Sequence, residues 1–519
     1  MKILSTSQIR SLEEREISAG TPAEVLMEGA GRETARLIIA EYPQVKTAHI
    51  WVGKGNNGED GLVIGRELIK VGWKILVWLA YPSTELGELG IRKLAELRSE
   101  FPAVLVKEKG IARIWPKSDE LLIDSLLGIG GKGDLRGAMR ELVAEINKAR
   151  RCCFFRTVAI DCPSGLNEES RSLKENLLGG DQAIVADLTV TIGYGKTFLF
   201  REELSSWVGR ILVAPIFQIE PEANTNSEAI VAEEVRPLLP RRNAASHKYD
   251  LGRVLIIAGS PGMTGAPRLT SEAALRAGAG LVTLGVRTQI YPMLATAAAP
   301  ECLVFDLDNS VAFEQSLSKA TVVAMGPGMG LDPLAEQFLR QVIERYDGPL
   351  ILDADALTLL AKDLSWLNNV AHMSKRKSQS SERRPIILTP HPGEMKRLLG
   401  QDFTLGERES VARDFAWTHG VHLILKGCRT VVAHPSGKVW INTTGNAGMA
   451  CGGSGDTLLG ILAALVAQGL SCEEAMKLGV WWHGRAADLA LRERGCEEGL
   501  PIAEVLRCLP KALNGSLSS

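Results

Sequence analysis

Short runs of aliphatic and β-branched residues alternate with amphipathic stretches along the first 215 residues. The runs are AHIWVG (48–53), KILVWLA (74–80), LLID (121–124), TVAID (157–161), LTVTIG (188–193) and RILVAP (210–215), and the amphipathic stretches include 60–70 and 90–99. Strands that alternate with helices are typical of a parallel sheet covered on both faces. The pattern therefore predicts a doubly wound α/β domain over 1–217.

The alternation stops at 217–247 and restarts in the second half. Residues 217–247 are polar, hold three prolines and show no clean period, so we predict a linker over 218–228. The later strand candidates are GRVLIIAGS (252–260), LVTLGV (281–286), ATVVAMGPG (320–328), LILDAD (350–355), PIILTPHPGE (385–394) and HLILKG (422–427). We expect a second α/β domain, with its own core, over 229–510.

One segment of this second domain has the composition of an insertion. Residues 366–384, WLNNVAHMSKRKSQSSERR, carry five Lys or Arg and several Ser between two strong elements. A solvated loop is the favoured interpretation. A functional lid or a basic docking site is the alternative.

Composition and charge narrow the class of protein. Lys and Arg number 59 against 61 Asp and Glu, a formal net charge of -2, which argues against a nucleic-acid partner. No apolar run approaches the ~18 residues of a membrane span, and the charged N-terminal sequence is unlike a signal peptide. The cysteines number nine, with no CxxC pair, which is typical of a reducing compartment. We expect a cytoplasmic enzyme with no membrane partner.

Glycine is enriched, at 52 of 519 residues, and it clusters at strand ends. GKGNNGEDG (53–61) follows a strand and precedes a helix. A glycine-rich turn at a helix N-terminus is an anion site, since its N–H groups and the helix dipole favour phosphate. Asp60 is expected to cap that helix.

Two further loops of the first half place oxygen-bearing side chains at strand ends. LLIDSLLGIGGKGDLRG (121–137) contains Asp124, and VAIDCPSGL (158–166) contains Asp161 and Ser164. Ligands bind at the carboxyl ends of strands in open α/β sheets, so these residues are predicted to converge with Asn57 on one crevice. Their hard oxygens suit a small cation and not zinc or copper. A capping role for Asp161 is the alternative.

The densest signature lies in the second half. NAGMACGGSGDTLLGILAAL (446–465) places a glycine loop and Asp456 before an apolar helical run. Such a loop can hold phosphate oxygens beside a catalytic base, although Asp456 as a helix cap is compatible with the pattern. Lys426 ends a strand and could reach nucleotide phosphates. His391, in TPHPGE, has a structural or a functional interpretation.

The three loops of the first half together resemble the YjeF N-terminal domain, the NAD(P)H-hydrate epimerase, over about 5–215. The resemblance implies a Rossmann-like fold, interconversion of R- and S-NAD(P)HX, and K⁺ bound by Asn57, Asp124 and Ser164. Asp161 is our candidate for the carboxylate that shuttles a proton. The implied dinucleotide contacts are Asn56, Asn57, Gly58, Glu59, Asp60, Gly128, Ile129, Gly130, Gly131, Lys132, Gly133, Asp134 and Asp161.

The second half resembles the YjeF C-terminal domain, a ribokinase-like, ADP- or ATP-dependent NAD(P)H-hydrate dehydratase, over about 229–505. Six motifs occur in order, among them TGAP, GPGMG, TPHPGE, KGCRT and GGSGD. The implied hydrate contacts are Ala266, Gly330, His391 and Asp456, with Asp456 catalytic. The implied nucleotide contacts are Lys426, Gly427, Cys428, Arg429, Thr430 and Gly455.

Together the two resemblances imply a repair enzyme for hydrated nicotinamide dinucleotides. The implied small molecules are NADHX, NADPHX, ADP and Mg²⁺ for the dehydratase and K⁺ for the epimerase, and we expect a homo-oligomer. A ribokinase-like small-molecule kinase with an accessory N-terminal domain is the main alternative. A non-catalytic dinucleotide-binding scaffold is a second one, disfavoured because both Asp456 and Lys426 are present.

Overall fold

The computed structural model describes residues 1–108, 114–131, 133–170, 182–221, 227–367 and 384–514. These residues form two compact units, one drawn from Met1–Thr225 and the other from Asn226–Ser516. Each unit contains its own extended sheet, so the α/β prediction is confirmed in both halves of the chain.

The first unit is a doubly wound α/β domain. Its elements are β1 (Ile3–Leu4), α1 (Thr6–Ser18), α2 (Ala23–Glu41), β2 (Thr47–Val52), α3 (Asn56–Lys70), β3 (Lys74–Leu79), α4 (Glu88–Glu100), β4 (Leu105–Lys107), β5 (Leu121–Ser125), α5 (Gly137–Cys153), β6 (Arg156–Ile160), β7 (Leu188–Ile192), β8 (Gly195–Lys196), α6 (Ser205–Val208) and β9 (Arg210–Ala214). Seven parallel strands form its sheet in the order β4-β3-β2-β5-β6-β7-β9.

The strand order of the first unit locates its crevice. The chain winds outward from β2 to β4 and then resumes on the other side of β2 with β5. The switch point therefore lies between the carboxyl ends of β2 and β5, where ligands bind in such sheets. The inner strands β2, β5 and β6 are almost wholly buried, as expected of a parallel sheet covered by helices on both faces.

The second unit is larger and mixed. Its elements are β10 (Ser227–Ile230), α7 (Ala232–Val235), β11 (Arg253–Ile257), α8 (Gly265–Arg276), β12 (Leu281–Val286), α9 (Tyr291–Ala297), β13 (Cys302–Asp306), α10 (Ser310–Lys319), β14 (Val322–Met325), α11 (Pro333–Arg345), β15 (Leu350–Leu352), α12 (Ala354–Leu360), β16 (Ile386–Leu388), α13 (Pro392–Leu399), α14 (Arg408–His419), β17 (His422–Leu425), β18 (Val431–Ala433), β19 (Val439–Asn442), α15 (Ser454–Ala467), α16 (Cys472–Arg494) and α17 (Ile502–Asn514).

Ten strands form the second sheet in the order β10-β19-β18-β17-β16-β15-β14-β11-β12-β13. The strand β18 pairs antiparallel with both β17 and β19, and the other pairings are parallel. The chain reverses its winding between β11 and β14, so the loops that follow these two strands meet at the switch point. Gly259 N donates to Pro327 O at 2.9 Å there.

The predicted linker, 218–228, includes residues that belong to the two units. Gln218 N and Ile219 N donate to Glu16 of the first unit at 2.5 and 2.6 Å. Ser227 and Glu228, also predicted to be linker, pair with β19 as part of β10. Residues 222–226 lie outside the described part of the chain, as do 368–383 of the predicted insertion.

Two further observations bear on the sequence analysis. Among the described residues, we find no helix with the length and apolar character that crossing a bilayer requires. All nine cysteines are free thiols.

Candidate active sites

A buried ion pair lies at the carboxyl end of β6 in the first unit. Asp161 follows this strand in the left-handed region, with φ +67°, which favours Asn and Asp among residues with a side chain. Its N–H donates to Val190 O at 2.8 Å. The Asp161 carboxylate accepts a hydrogen bond from the ammonium of Lys196.

Lys196 is almost completely enclosed, with 1% of its surface exposed. Its ammonium also donates to Thr191 Oγ1 and Ile192 O, each at 2.8 Å. Three partners match the three hydrogens of an ammonium. The sequence analysis missed this residue, although a lysine between a strand and the apolar run 198–200 was a usable signal.

The loops of the first unit converge beside this ion pair. A methyl group placed on Gly128 would lie 3.3 Å from Asp161 Oδ2 and 3.4 Å from the Asn57 side chain. Ile129 N donates to Asp161 Oδ2 at 3.4 Å. The second loop therefore passes within contact distance of both side chains, and a side chain at 128 would fit only tightly against Asp161.

Asn57, Asp124 and Ser164 are buried residues that lie at or just after the carboxyl ends of β2, β5 and β6. Asp124 is fully buried and accepts from Ser164 Oγ at 2.6 Å and Ser164 N at 2.8 Å. Burial raises the pKa of its carboxyl to about 6, although these hydrogen bonds oppose the change. Both amide atoms of the buried Asn57 side chain lack a hydrogen-bond partner among the described residues. This donor set fits a hard monovalent cation.

The two acidic residues of the first glycine loop have different surroundings. The helix α3 starts at Asn56 and not near Asp60, so the prediction that Asp60 caps it is wrong. Burial raises the pKa of Asp60 well above its ordinary value, and the charge of Asp161 adds to this effect. A methyl group on Gly87 would lie 3.4 Å from Glu59 Oε1, so the Glu59 side chain points toward the start of α4.

The remaining predicted contacts lie on the rim of the crevice. Asn56 is exposed and Gly58 packs against Gly53, where an added methyl would overlap the Gly53 carbonyl. Ile129 packs against the apolar cluster of β1 and α1 formed by Leu4, Ile9 and Leu12. The loop residues Gly130, Gly131, Gly133 and Asp134 follow at partly or fully exposed positions. Lys132 lies outside the described residues.

The helix α1 contributes two charged residues that the sequence analysis did not consider. Glu13 is half-buried, and burial together with the charge of Asp161 raises its pKa. Arg10 Nη2 donates to Ile129 O at 3.0 Å. The helix therefore forms one wall of the crevice.

In the second unit, Asp456 lies in the first turn of α15. Gly453 precedes the helix with φ +90°, and an added methyl there would overlap Leu269. Asp456 occupies the third helical position, where the helix dipole stabilises a negative charge. Burial raises the pKa of Asp456 to about 6; Asp353 adds to the change and Lys426 opposes it.

A second ion pair lies beneath this helix. Lys426 Nζ is 2.5 Å from Asp353 Oδ1 and 3.8 Å from Glu394 Oε2. Burial acts to lower the pKa of Lys426, but the charges of Asp353 and Glu394 raise it overall. The sequence analysis named Lys426 but missed both carboxylates, although Asp353 stands in the quoted LILDAD run.

His391 caps the helix α13. Its Nδ1 accepts from Gly393 N at 3.0 Å and from Glu394 N at 3.4 Å, and His391 N donates to Glu394 Oε2 at 2.8 Å. Burial and the nearby Lys426 lower the pKa of His391. An Nδ1 that accepts hydrogen bonds leaves Nε2 as the protonated nitrogen of the neutral ring. The structural interpretation of His391 therefore has direct support, and about half of its side chain is still exposed.

The loop that follows Lys426 is held from below by Arg408. This buried guanidinium donates to Leu425 O at 2.9 Å, Lys426 O at 3.0 Å and Cys428 O at 2.7 Å. Gly427 and Arg429 have positive φ, and Thr430 Oγ1 donates to Gly427 O at 2.9 Å. The loop is thereby fixed in shape while Gly427 and Cys428 stay exposed.

Two of the predicted hydrate contacts, Ala266 and Gly330, lie on the loops that meet at the switch point of the second sheet. A methyl group on Gly328 would lie 3.5 Å from Cβ of Ala266. The loop after β14 therefore lies against the start of α8. Gly330 has φ +87°, and its N–H donates to Asp355 Oδ2 at 2.9 Å. No cluster of three acidic, His or Cys side chains suited to a metal ion occurs in the described ranges.

Two family models match the chain, and they fall on different units. The family described as YjeF-related protein N-terminus matches 23–198. The family described as NAD(P)H-hydrate dehydratase matches 254–511.

Curated relatives match both units at once. A bifunctional NAD(P)H-hydrate repair enzyme of Moorella thermoacetica is 37% identical over 95% of this chain and 92% of its own length. The same enzyme of Coxiella burnetii is 35% identical over 98% of both chains. Among solved structures, the ADP/ATP-dependent NAD(P)H-hydrate dehydratase of Bacillus subtilis, co-crystallised with ATP/Mg²⁺, is 30% identical, covers 55% of this chain and 98% of its own, and has a TM-score of 0.46.

Proposed function

The chain belongs to the family of bifunctional NAD(P)H-hydrate repair enzymes, and from this we propose that each unit carries one of the two activities. The first unit epimerises R- and S-NAD(P)HX, and the second dehydrates S-NAD(P)HX to NAD(P)H. The match of a separate family model to each unit supports this division. The nine free thiols fit work in a reducing cytoplasm.

For the epimerase, Asp161 is the proposed catalytic carboxylate. Epimerisation at the hydrated carbon requires a planar, cationic nicotinamide intermediate, which a carboxylate stabilises while it moves a proton. The ion pair with Lys196 holds Asp161 Oδ1, and Oδ2 lies on the side of Gly128. Asp60, whose pKa is raised by burial, could serve as the protonated partner on the same crevice.

The cation proposed for this unit is K⁺. The orphaned amide of Asn57 supports it, because a buried side chain with no partner requires one. Asn57 Oδ1, Asp124 and Ser164 would hold the ion. When bound, K⁺ supplies positive charge that favours binding of an anionic dinucleotide.

For the dehydratase, Asp456 is the proposed base and Lys426 a proposed phosphate contact. Hydroxide is a poor leaving group, so phosphorylation of the hydroxyl makes elimination easy. A base at the first turn of α15, beside backbone N–H groups of the Gly452–Gly455 loop, suits this transfer. The pKa of Asp456, near 6, lies close to the range in which a general base works at neutral pH.

ADP is the proposed phosphoryl donor, with the loop Lys426–Thr430 and Gly455 as its contacts. Mg²⁺ on the nucleotide, when bound, neutralises charge that develops on the phosphates. Arg408 holds the backbone of this loop in a fixed shape, which suits the binding of a phosphate group. Ala266, Gly330 and the exposed edge of His391 are the proposed hydrate contacts.

The alternative of a ribokinase-like small-molecule kinase shares the glycine loop and Asp456. It does not account for the first unit, and the relatives that align with both units are repair enzymes. A scaffold without catalysis does not account for two buried ion pairs, each at a strand end of a different sheet.

The experiment is a separation of the two units. A fragment of 227–519, which keeps β10 intact, is expected to convert S-NAD(P)HX to the reduced dinucleotide with ADP and Mg²⁺, and to leave R-NAD(P)HX untouched. The full chain should consume both epimers. Equal enzymatic consumption of both epimers by the fragment would contradict the division, and phosphorylation of a vitamin precursor without hydrate turnover would favour the kinase.

A further inference from the structure

Asp353 lies where a helix cap is expected but does not act as one. It follows β15 at the N-cap position of α12, and its side chain makes no capping hydrogen bond. Asp at this position normally accepts from the backbone of the first turn. Its Oδ1 instead accepts a hydrogen bond from Lys426 Nζ at 2.5 Å, and the two residues lie 73 positions apart in the sequence.

The backbone after Asp353 is strained. Ala354 has φ +49°, a left-handed conformation that residues with a Cβ rarely adopt. Such strain persists only where the surrounding structure imposes it. Asp353 itself is 1% exposed, so its carboxylate has no alternative partner in solvent.

The ion pair abuts the helix that carries Asp456. A methyl group placed on Gly455 would lie 3.2 Å from Lys426 Nζ and 3.4 Å from Asp353 Oδ2. Gly455 is the residue before Asp456, so both charges lie directly beside the first turn of α15. Glu394 Oε2 approaches the same ammonium at 3.8 Å, which places Asp353 as its principal counter-charge.

We propose that Asp353 is a positioning residue of the dehydratase, which holds the Lys426 ammonium against the first turn of α15 and sets the charge that surrounds Asp456. The inference rests on the proposed role of Asp456 as the base. Among the described residues, Asp353 from the start of α12 and Lys426 from the loop after β17 are the charged groups that act on Asp456. Without the Asp353 charge, the ammonium would be opposed only by the more distant Glu394, and it would favour the ionised form of Asp456 more strongly.

The test is the pH dependence of hydrate dehydration by the full chain. In the unsubstituted enzyme, kcat/KM should fall with decreasing pH through about 6, the pKa of Asp456. In Asp353→Asn the fall should move to lower pH, by about one pH unit. If Asp353 is needed only for folding, its substitution should lower activity at every pH and leave the midpoint of the pH profile unchanged. That result would overturn the proposal.

Control variants complete the test. Asp402→Asn, which neutralises an exposed carboxylate after α13, should leave the midpoint in place. If Asp353→Asn does not fold, Asp353→Glu decides, because it keeps the charge. A midpoint near that of the unsubstituted enzyme supports the proposal, and a midpoint that moves down contradicts it. Absence of dehydration by the unsubstituted chain would refute the proposed function instead.

Discussion

Lys196 donates from its ammonium to the Asp161 carboxylate, and it does so from a two-residue strand, β8, that pairs with β1. The pair joins a cation that is 1% exposed to a carboxylate side chain that is 11% exposed. The more exposed member of the pair is therefore the Asp161 carboxylate. The geometry gives the two residues different tasks, with Lys196 holding Asp161 and Asp161 facing the crevice.

Substitution of Lys196 by Met should abolish epimerisation and spare dehydration. Removal of one partner of a buried ion pair leaves an uncompensated charge, at a cost of roughly 3–5 kcal/mol. We therefore expect the melting temperature of the first unit to fall along with epimerase activity. The matched control is Lys148→Met on α5, an exposed lysine, and near-normal epimerisation in Lys196→Met would show that Asp161 is held by other contacts.

Substitution of Asp161 by Asn should affect chemistry more than folding. Asn also tolerates the left-handed backbone observed at this position, but it cannot accept a proton. We expect epimerisation to fall by about 10²–10⁴-fold, the range for loss of an acid–base group, while dehydration is unaltered. The measurement is the rate of equilibration of purified R-NAD(P)HX; an unchanged rate would reduce Asp161 to a structural residue.

Asp456→Asn should reduce dehydratase kcat by at least about 10²-fold, as expected for removal of a general base. The helix α15 should persist, because glycine at 453 sets its start and Asp456 is not the cap residue. ADP affinity should stay near that of the unsubstituted enzyme. Calorimetry with ADP and turnover of S-NAD(P)HX on one preparation separate the two effects, and near-normal kcat would eliminate the proposed base.

Replacement of K⁺ by Li⁺ should lower epimerase activity and leave the second unit's activity unaffected. Selectivity between hard cations depends on cavity size and ligand number, so a site that holds K⁺ is expected to hold the smaller Li⁺ less well. The variant Asn57→Leu should behave in K⁺ as the unsubstituted enzyme does in Li⁺. An epimerase indifferent to both changes would require another partner for the orphaned Asn57 amide.

The first unit should lose stability in acid through Glu28. Hydrogen bonds from Arg66 and Lys93 lower the pKa of Glu28 from 4.5 to about 2. A depressed carboxyl pKa stabilises the folded state above the unfolded pKa, and this contribution is lost as pH falls from about 4.5 to about 2. Glu28→Gln should flatten the dependence of melting temperature on pH over this interval; an unaltered slope would show that other carboxylates dominate.

The sequence pattern singled out one member of each buried ion pair, Asp161 or Lys426, and not the other. The strands that position Asp161, Lys426 and Asp456 are apolar runs that end in glycine-rich loops, which is a local pattern. Lys196 and Asp353 depend on partners 35 and 73 positions away, and no local period encodes such pairing. The strand β10, with the sequence SEAI, is likewise defined by its neighbour β19 and not by its own residues.

The pairing of β1 with β8 has a consequence for synthesis on the ribosome. Ile3 and Leu4 are made about 190 residues before their partners Gly195 and Lys196. At typical elongation rates this interval is roughly 10–40 s. These two apolar residues therefore remain unpaired until most of the unit has been translated, and the Lys196–Asp161 pair is among the last of the unit's contacts to form.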